Sequence, residues 1–362
     1  MSLEVQKKIS LADYTTLKVG GVARYFAVVK NVDELLEAVK FSDSQKIPIR
    51  VLGSGSNVLI ADGELPYLFL KNELKGVTYK VVSEDKILVK ASAGEPWDSF
   101  VADTVEKNLS GLENLSGVPG TVGASPIQNI NCYGASVSET IKTVEVLNTE
   151  NKKFFELSGE ECKFGYRDSI FKHEAGANLI VTAVTFGLST NRNKNLSYQS
   201  SSQSIEKYLA NQGIVEPAVA DIRQAVLQVR KNIGMLEGQF RSAGSFFKNT
   251  IVEKEVFSRI EKIVNDRYED LDKKFTPWHW SLPDGREKIS TAFLLECSPF
   301  NKTTYGVKRW RDVAGLSPLH SLSIVTEVDA KAEDVRDFAK LITDSIMEIF
   351  GISLESEVNY IN

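Results

Sequence analysis

The chain is poor in the residues that mark several large protein classes. Among 362 residues there are only three cysteines, Cys132, Cys162 and Cys297. Far apart and odd in number, they cannot form a disulfide framework or a four-thiolate zinc site. No metal is expected. Histidine is as scarce, at His173, His279 and His320. No apolar run approaches the roughly 18 residues that a membrane-spanning helix needs. Met1 to Ser10 is charged and lacks the apolar stretch of a signal peptide. A basic excess is also missing: 43 Lys and Arg stand against 48 Asp and Glu, for a net charge of −5. Such a chain is a poor candidate for non-specific nucleic-acid binding. Hydrophobic residues at 42% and charged residues at 25% exclude global disorder. The expectation is a reduced, cytoplasmic protein with no membrane or nucleic-acid partner, a monomer or weak oligomer. At about 150 residues per domain, two or three domains are expected.

Local patterns suggest the organisation. Asn31 to Gln45 reads as a helix, with Asn31 as its cap, Glu34 completing a capping box, and Val32, Leu35, Leu36 and Val39 on one face. Arg50 to Ala61 reads as a β-hairpin, two apolar runs around a Gly/Ser turn. Glu95 to Leu109, Pro217 to Asn232, Val252 to Val264 and Ala332 to Phe350 have helical periodicity, the last stopped by Gly351. Between them, Asn191 to Ser204 is poor in apolar residues and rich in serine, either a flexible connector or a loop over a site. The expected division is residues 1–190 as one domain with two parts meeting near 75, residues 191–234 as loop and connecting helix, and residues 235–362 as a second domain.

Two glycine-rich segments carry the clearest chemistry. In Gly53-Ser54-Gly55-Ser56-Asn57, glycine lets several amide N–H groups converge on one anion, and the serine and asparagine side chains add donors. The segment is neither a doubly wound dinucleotide fingerprint, since Val58 stands where a third glycine belongs, nor a P-loop. A tight hairpin turn would use the same residues. The second segment runs from Ser116 to Gly134, with four glycines, two prolines and the adjacent amides of Gln128 and Asn129. That density suits close backbone approach to a planar, phosphate-bearing ligand.

These strings, taken in order, resemble the UDP-N-acetylenolpyruvoylglucosamine reductase family over almost the whole chain. Thr15-Thr16-Leu17-Lys18-Val19-Gly20-Gly21 is similar to its N-terminal signature. Tyr166-Arg167-Asp168-Ser169-Ile170-Phe171-Lys172, Ala243-Gly244-Ser245-Phe246-Phe247-Lys248-Asn249 and Leu354-Glu355-Ser356-Glu357-Val358 resemble three further family strings. The resemblance implies an α+β fold, an FAD-binding domain of the vanillyl-alcohol oxidase/p-cresol methylhydroxylase type followed by a C-terminal α+β substrate-binding domain, with the last residues returning to the active site. It implies NADPH-dependent, FAD-mediated reduction of the nucleotide sugar UDP-N-acetylglucosamine enolpyruvate to UDP-N-acetylmuramate. Arg167, Ser245 and Glu357 are implied as catalytic: Arg167 binding the substrate carboxylate, Ser245 donating a proton, Glu357 stabilising the enolate or orienting Arg167. Glu355 lies two residues from Glu357 and competes for that role; Glu357 is preferred because it directly precedes Val358. FAD contacts are implied for Gly53, Ser54, Gly55, Ser56, Asn57, Gly117, Pro119, Gly120, Thr121, Gly123, Ala124, Gln128, Asn129 and Tyr133. Tyr198 resembles the substrate-covering tyrosine of the long-loop form, and Asn249 is implied to contact the nucleotide sugar.

The chain departs from the family pattern in places. Ile233 stands at the position of a substrate-binding lysine, with Lys231 nearby. His320 stands nearest to a position usually held by an amide. Lys308 to Arg311 is a basic stretch that could serve a diphosphate. Two alternatives stay open: an FAD-dependent oxidase or dehydrogenase of the same fold, and a diverged, non-catalytic flavin or nucleotide-sugar binder. None of the three histidines lies in a glycine loop, which argues against histidyl attachment of a flavin.

Overall fold

The computed structural model describes residues 3–191, 204–275 and 277–362. Tyr198 lies outside the described residues. The first layer is a four-stranded sheet in the order Gln6–Ser10, Val22–Val29, Glu64–Asn72, Ile49–Leu52, its last two pairings parallel. Helix Val32–Gln45 packs on it through Leu35, Ala38 and Val39, against Ala27, Val29, Leu68 and Leu70. Asn31 caps this helix by accepting from the Glu34 amide at 2.9 Å, while the Glu34 carboxylate reaches the Lys30 amide rather than that of Asn31. A residue preceding the cap thus gains the hydrogen bond that a strict capping box gives to the cap itself.

Between Asn72 and Val77 the chain enters an antiparallel five-stranded sheet, ordered Phe154–Ser158, Ile141–Asn148, Leu179–Ser189, Lys86–Ser92, Val77–Ser83. Helix Trp97–Glu106 covers it, and the rings of Trp97, Phe100 and Phe186 meet at centroid separations of 5.1 to 6.0 Å. Each of these buried rings contributes about 1.5–3 kcal/mol by leaving water.

The third unit holds two small sheets. Ser242–Ser245, Ser323–Thr326 and Ala314–Leu316 form one, and Thr250–Val252, Glu287–Ile289 and His279–Ser281 the other. Helix Ala332–Phe350 buries Val335, Phe338, Ile342 and Ile346 beneath them, and Gly351 ends it in the left-handed conformation at φ 68°. Leu17, Val19 and Leu59 join this core from the N-terminal part of the chain.

The expected hairpin over residues 50–61 is not formed. Ile49–Leu52 pairs with Glu64–Asn72, whereas Val58–Ile60 pairs in parallel with the C-terminal strand Asn359–Ile361. Two short apolar runs around a glycine turn have the hairpin signature whether or not they pair with each other. Here Gly53 to Asn57 carries the chain from one sheet to another, because each run finds a partner distant in sequence. The consequence for the site is direct. The C-terminal strand returns residues 357–361 to the end of the first glycine loop. Among the described residues no helix is long and apolar enough to cross a membrane, and no group of His, Cys, Asp and Glu is placed to hold a metal ion.

Candidate active site

A cleft of about 380 Å³ opens where these units meet, within the range of small-molecule sites. Its walls include Gly53 to Asn57, Val118, Pro119, Ala124, Gln128, Cys132, Arg167, Arg230, Ser245 and Glu357. The first glycine loop is held from beneath by backbone: the Thr16 amide donates to the Gly55 carbonyl at 3.2 Å. Gly55 sits at φ +67°, and a Cβ there would meet Tyr14 and the Thr15 backbone, so position 55 requires glycine on two counts. Among the described residues, the amides of Ser54, Gly55, Ser56 and Asn57 donate to no protein acceptor. The buried Ser54 hydroxyl likewise has no partner. Unpaired backbone donors around a turn make an anion cradle, and these residues fit the diphosphate of a dinucleotide cofactor.

The second glycine segment faces the cleft only in part. Pro119, Ala124 and Gln128 line it, as do Ile127, Ile130 and Asn131. Gly117, Gly120, Thr121, Gly123, Asn129 and Tyr133 are not among the residues that line it. The Gly117 peptide is clamped on both sides: its N–H donates to Asp98 at 2.6 Å, and its carbonyl accepts from Arg230 Nε at 3.0 Å. The Gly120 carbonyl caps the Trp97 amide, and Thr121 packs its hydroxyl on Gly53. A Cβ on Gly123 would lie 2.5 Å from that of Ala93. Asn129 bridges the Gly165 carbonyl at 2.9 Å and the Ser136 hydroxyl at 2.7 Å. Tyr133 is buried among Ile205, Leu209, Ile222 and Val226.

Asp98 also receives two hydrogen bonds from Arg223, at 2.6 and 2.9 Å. Burial alone would raise its pKa, but Arg223 and the Gly117 amide hold it below the usual carboxylate range. A depressed folded pKa adds stability that is present above the unfolded value of about 3.9. That stability is lost as pH falls through the folded value. Asp98→Ala is therefore expected to cost about 1–3 kcal/mol by leaving Arg223 and the Gly117 N–H unpaired. Urea titrations should show the difference from the natural chain at pH 7 shrinking below pH 4; a constant difference would deny the clamp.

Arg167 stands at the tip of a tight turn. Gly165 and Asp168 pair across it, and Arg167 itself has φ +53°, a strained value for a side-chain-bearing residue. The turn is held by Asn129 on Gly165, by Lys172 Nζ on the Arg167 carbonyl at 3.1 Å, and by His173 on Asp168. Arg167 Nε lies 3.0 Å from Glu357 Oε1, yet its N–H is not aimed at that oxygen. The pair is held by charge, and among the described residues the N–H has no hydrogen-bond acceptor.

The 355–357 segment is stitched to residues 246–248. The Lys248 amide donates to the Glu355 carbonyl and the Glu357 amide to the Phe246 carbonyl, both at 2.9 Å. This brings Ser245, at the end of its strand, into the same cleft as Glu357. The structure separates the two glutamates. Glu355 is exposed and binds Lys248 at 2.6 Å, whereas Glu357 is 8% exposed and faces Arg167. A bend at residues 357–358 breaks the alternation that would have put both on one face. Burial pushes the Glu357 carboxyl up, against the opposing charges of Arg167, Lys172 and Lys248. Burial also lowers Lys172 and Lys288, the second with help from Arg167.

Lys288 was not singled out by the sequence; its one signal is its place between two inward residues of Glu287–Ile289. Its ammonium lies 4.9 Å from the Tyr166 ring centroid. Arg230 was missed as well, because in the last turn of helix Val219–Asn232 it reads as a dipole-complementing cation. It is 4% exposed and lines the cleft, donating to Gly117, to the Met235 carbonyl at 2.7 Å and toward Cys132 Sγ at 3.5 Å. Lys231 lies instead in an outer groove with Glu106 and Leu227. Asn249 is outside the cleft wall, its Oδ1 accepting from the Thr291 amide at 3.2 Å. His320 is driven down to about 4 by burial and by the charges of Arg230 and Lys302, and its buried Nδ1 has no partner among the described residues. Arg309 pairs with Glu327 at 2.7 Å and Arg311 with Asp337 and Asp334, so two charges of the basic stretch are committed within the protein.

Comparison with known proteins points to one family over the whole chain. Residues 23–157 match a family of FAD binding domains, and residues 236–361 match the C-terminal domain of UDP-N-acetylenolpyruvoylglucosamine reductase. A UDP-N-acetylenolpyruvoylglucosamine reductase of Thermobifida fusca is 36% identical over 99% of this chain and 98% of its own. One from Flavobacterium johnsoniae is 33% identical over 99% and 100%. The crystal structure of the Thermus caldophilus reductase shares the fold, with a TM-score of 0.66 at 24% identity, covering 99% of this chain and 100% of that one. With full-length relatives above 30% identity and both domains matched, the chain belongs to the UDP-N-acetylenolpyruvoylglucosamine reductase family.

Proposed function

We propose that the protein reduces the enolpyruvyl ether of UDP-N-acetylglucosamine enolpyruvate to UDP-N-acetylmuramate, a step in peptidoglycan precursor synthesis, using NADPH and FAD. The observation that carries the reading is a juxtaposition. Ser245, Arg167 and Glu357 share one cleft with a glycine loop whose amides lack acceptors among the described residues. In this reading Gly53 to Asn57, with the Ser54 hydroxyl, hold the cofactor diphosphate, and Pro119, Ala124 and Gln128 flank its ring system. Gly117, Gly120, Thr121, Gly123, Asn129 and Tyr133 shape the segment that carries them. FAD, when bound, supplies the hydride equivalent drawn from NADPH.

The chain's own residues handle charge and protons. Arg167 holds the substrate carboxylate, because a guanidinium fork fits two oxygens and keeps its proton. As negative charge grows on that carboxylate and the adjoining carbon, the fixed positive charge of Arg167 stabilises it without reorganisation. Ser245 delivers the proton to the carbon next to the carboxylate. Glu357, with its carboxyl raised by burial, shares the growing charge when protonated and orients Arg167 when ionised. Lys172, Lys248 and Lys288 add positive charge around an anionic substrate. The family resemblance implies nucleotide-sugar contacts for Asn249 and Tyr198, and a cytoplasmic location is in keeping with the composition.

The test is an anaerobic two-step assay. NADPH should bleach the flavin absorbance of the purified holoenzyme, and the enolpyruvyl substrate should restore it. Flavin that is bleached but not reoxidised by this substrate would reject the assignment.

A further inference from the structure

The Asn57 side chain points away from an anion cradle. Its Nδ2 donates to Gln128 Oε1 at 2.5 Å and to the Glu357 carbonyl at 3.2 Å. The Gln128 Nε2 in turn reaches Glu357 Oε1 at 3.4 Å. On the main chain, the amide and side chain of Asn359 both donate to the Asn57 carbonyl, at 3.1 and 3.2 Å. Asn57 therefore touches the C-terminal segment at Glu357 itself and two residues beyond it. We propose that Asn57 and Gln128 are positioning residues that orient the Glu357 carboxylate, so that the two glycine loops fix the proton-handling end of the site as well as the cofactor.

The polarity of the chain of amides supports this. An amide has one accepting end and one donating end. With its oxygen held by Asn57, Gln128 must present its NH2 group to Glu357. Turned over, it would set NH2 against NH2 and oxygen against carboxylate, so only the observed arrangement sets a donor against an acceptor at both of its contacts. Glu357 Oε1 then lies between the Gln128 donor and the Arg167 guanidinium. The charged and titratable groups facing Glu357 come from elsewhere: Arg167, Tyr166 and Lys172 from the turn at 165–173, and Lys248 from the segment after Ser245. Glu355, on the same tail, faces Lys172 as well. The two glycine loops contribute only the neutral amides of Asn57 and Gln128. Removing their donors should shift the ionisation of Glu357 upward, because a hydrogen bond to the charged form favours that form.

The inference rests on the role given to Glu357 above, and the experiment separates the two. In FAD-loaded holoenzyme, the rates of NADPH-driven bleaching and substrate-driven reoxidation are measured between pH 5 and 10 for Asn57→Asp, Gln128→Leu, Asn359→Ala and Glu357→Gln. Asn57→Asp replaces the donor by an acceptor and turns the Gln128 amide over; Gln128→Leu deletes the donor. Both should move the pH limb of reoxidation up by about one unit, and should slow reoxidation about tenfold more than bleaching. Asn359→Ala should shift the limb in the same direction by less. Equal losses in both steps with an unmoved limb, or loss of bound FAD from both Asn57→Asp and Gln128→Leu, would make these amides cofactor ligands only and overturn the inference. Glu357→Gln should abolish the limb. If it keeps the natural limb and rate, the role of Glu357 itself fails; if it abolishes the limb while the amide variants leave it unmoved, only the positioning inference fails.

Discussion

Ser245→Ala should remain folded and FAD-loaded, bleach with NADPH at close to the natural rate, and reoxidise with the enolpyruvyl substrate about 10²–10⁴ times more slowly. The size follows from losing a positioned proton donor, and the selectivity follows from where Ser245 sits. Its strand, Ser242–Ser245, is anchored by pairing with Ser323–Thr326 and by the Phe246 amide on the Leu322 carbonyl at 2.8 Å. Those bonds are backbone bonds and survive the substitution. Gly244 precedes it at φ +76°, so the chain turns there whatever residue follows. The neighbouring Phe246 and Phe247 rings are buried and hold the segment down. Only a hydroxyl in the cleft is removed. Serine is a feeble acid in water, so its proton transfer depends on the nearby Arg167 charge, which favours the developing alkoxide. Stopped-flow traces of the two steps would decide the matter: equal loss in both would assign Ser245 a structural role.

How much of this arrangement could be read in the sequence depended on how local each signal was. The helix at 332–350 was legible to the residue, because apolar spacing and Gly351 specify its face and its end without reference to other parts of the chain. The glycine loops were legible as strings, since they depend on short-range backbone geometry. The pairing of Val58–Ile60 with Asn359–Ile361 was not, because a strand of three residues carries no information about its partner. That one pairing sets the site, since it brings Glu357 to Arg167 across 190 residues of sequence. The choice between Glu355 and Glu357 was similarly undecidable from alternation, because a bend lies at 357–358. Arg230 was hidden by a sufficient local explanation, and only its burial against Gly117 and Cys132 shows that it faces the cleft.

Arg167→Met should have the second large effect, on both reaction and stability. Methionine keeps an unbranched stem, so the left-handed backbone at φ +53° costs the two residues about the same, and the comparison reports the guanidinium. The substrate-dependent step should slow about 10²–10³-fold, the range for removing one preorganised donor from a site of developing charge. Stability should change with a definite pH dependence. Burial raises the Glu357 carboxyl above its unfolded value, and Arg167 is the largest charge opposing that rise. A group whose folded pKa is raised contributes stability that is full below the unfolded value of about 4.3 and is lost as pH rises through the folded value. Without Arg167 the folded value rises further, so the variant should weaken progressively from pH 5 to pH 8 relative to the natural chain. Removing one partner of a buried pair costs about 3–5 kcal/mol, whereas removing both costs much less. The double variant Arg167→Met with Glu357→Gln should therefore recover most of the lost stability at pH 8 and none of the lost activity. Denaturant midpoints for both singles and the double across that range test the coupling; a double variant no more stable than Arg167→Met alone would deny it.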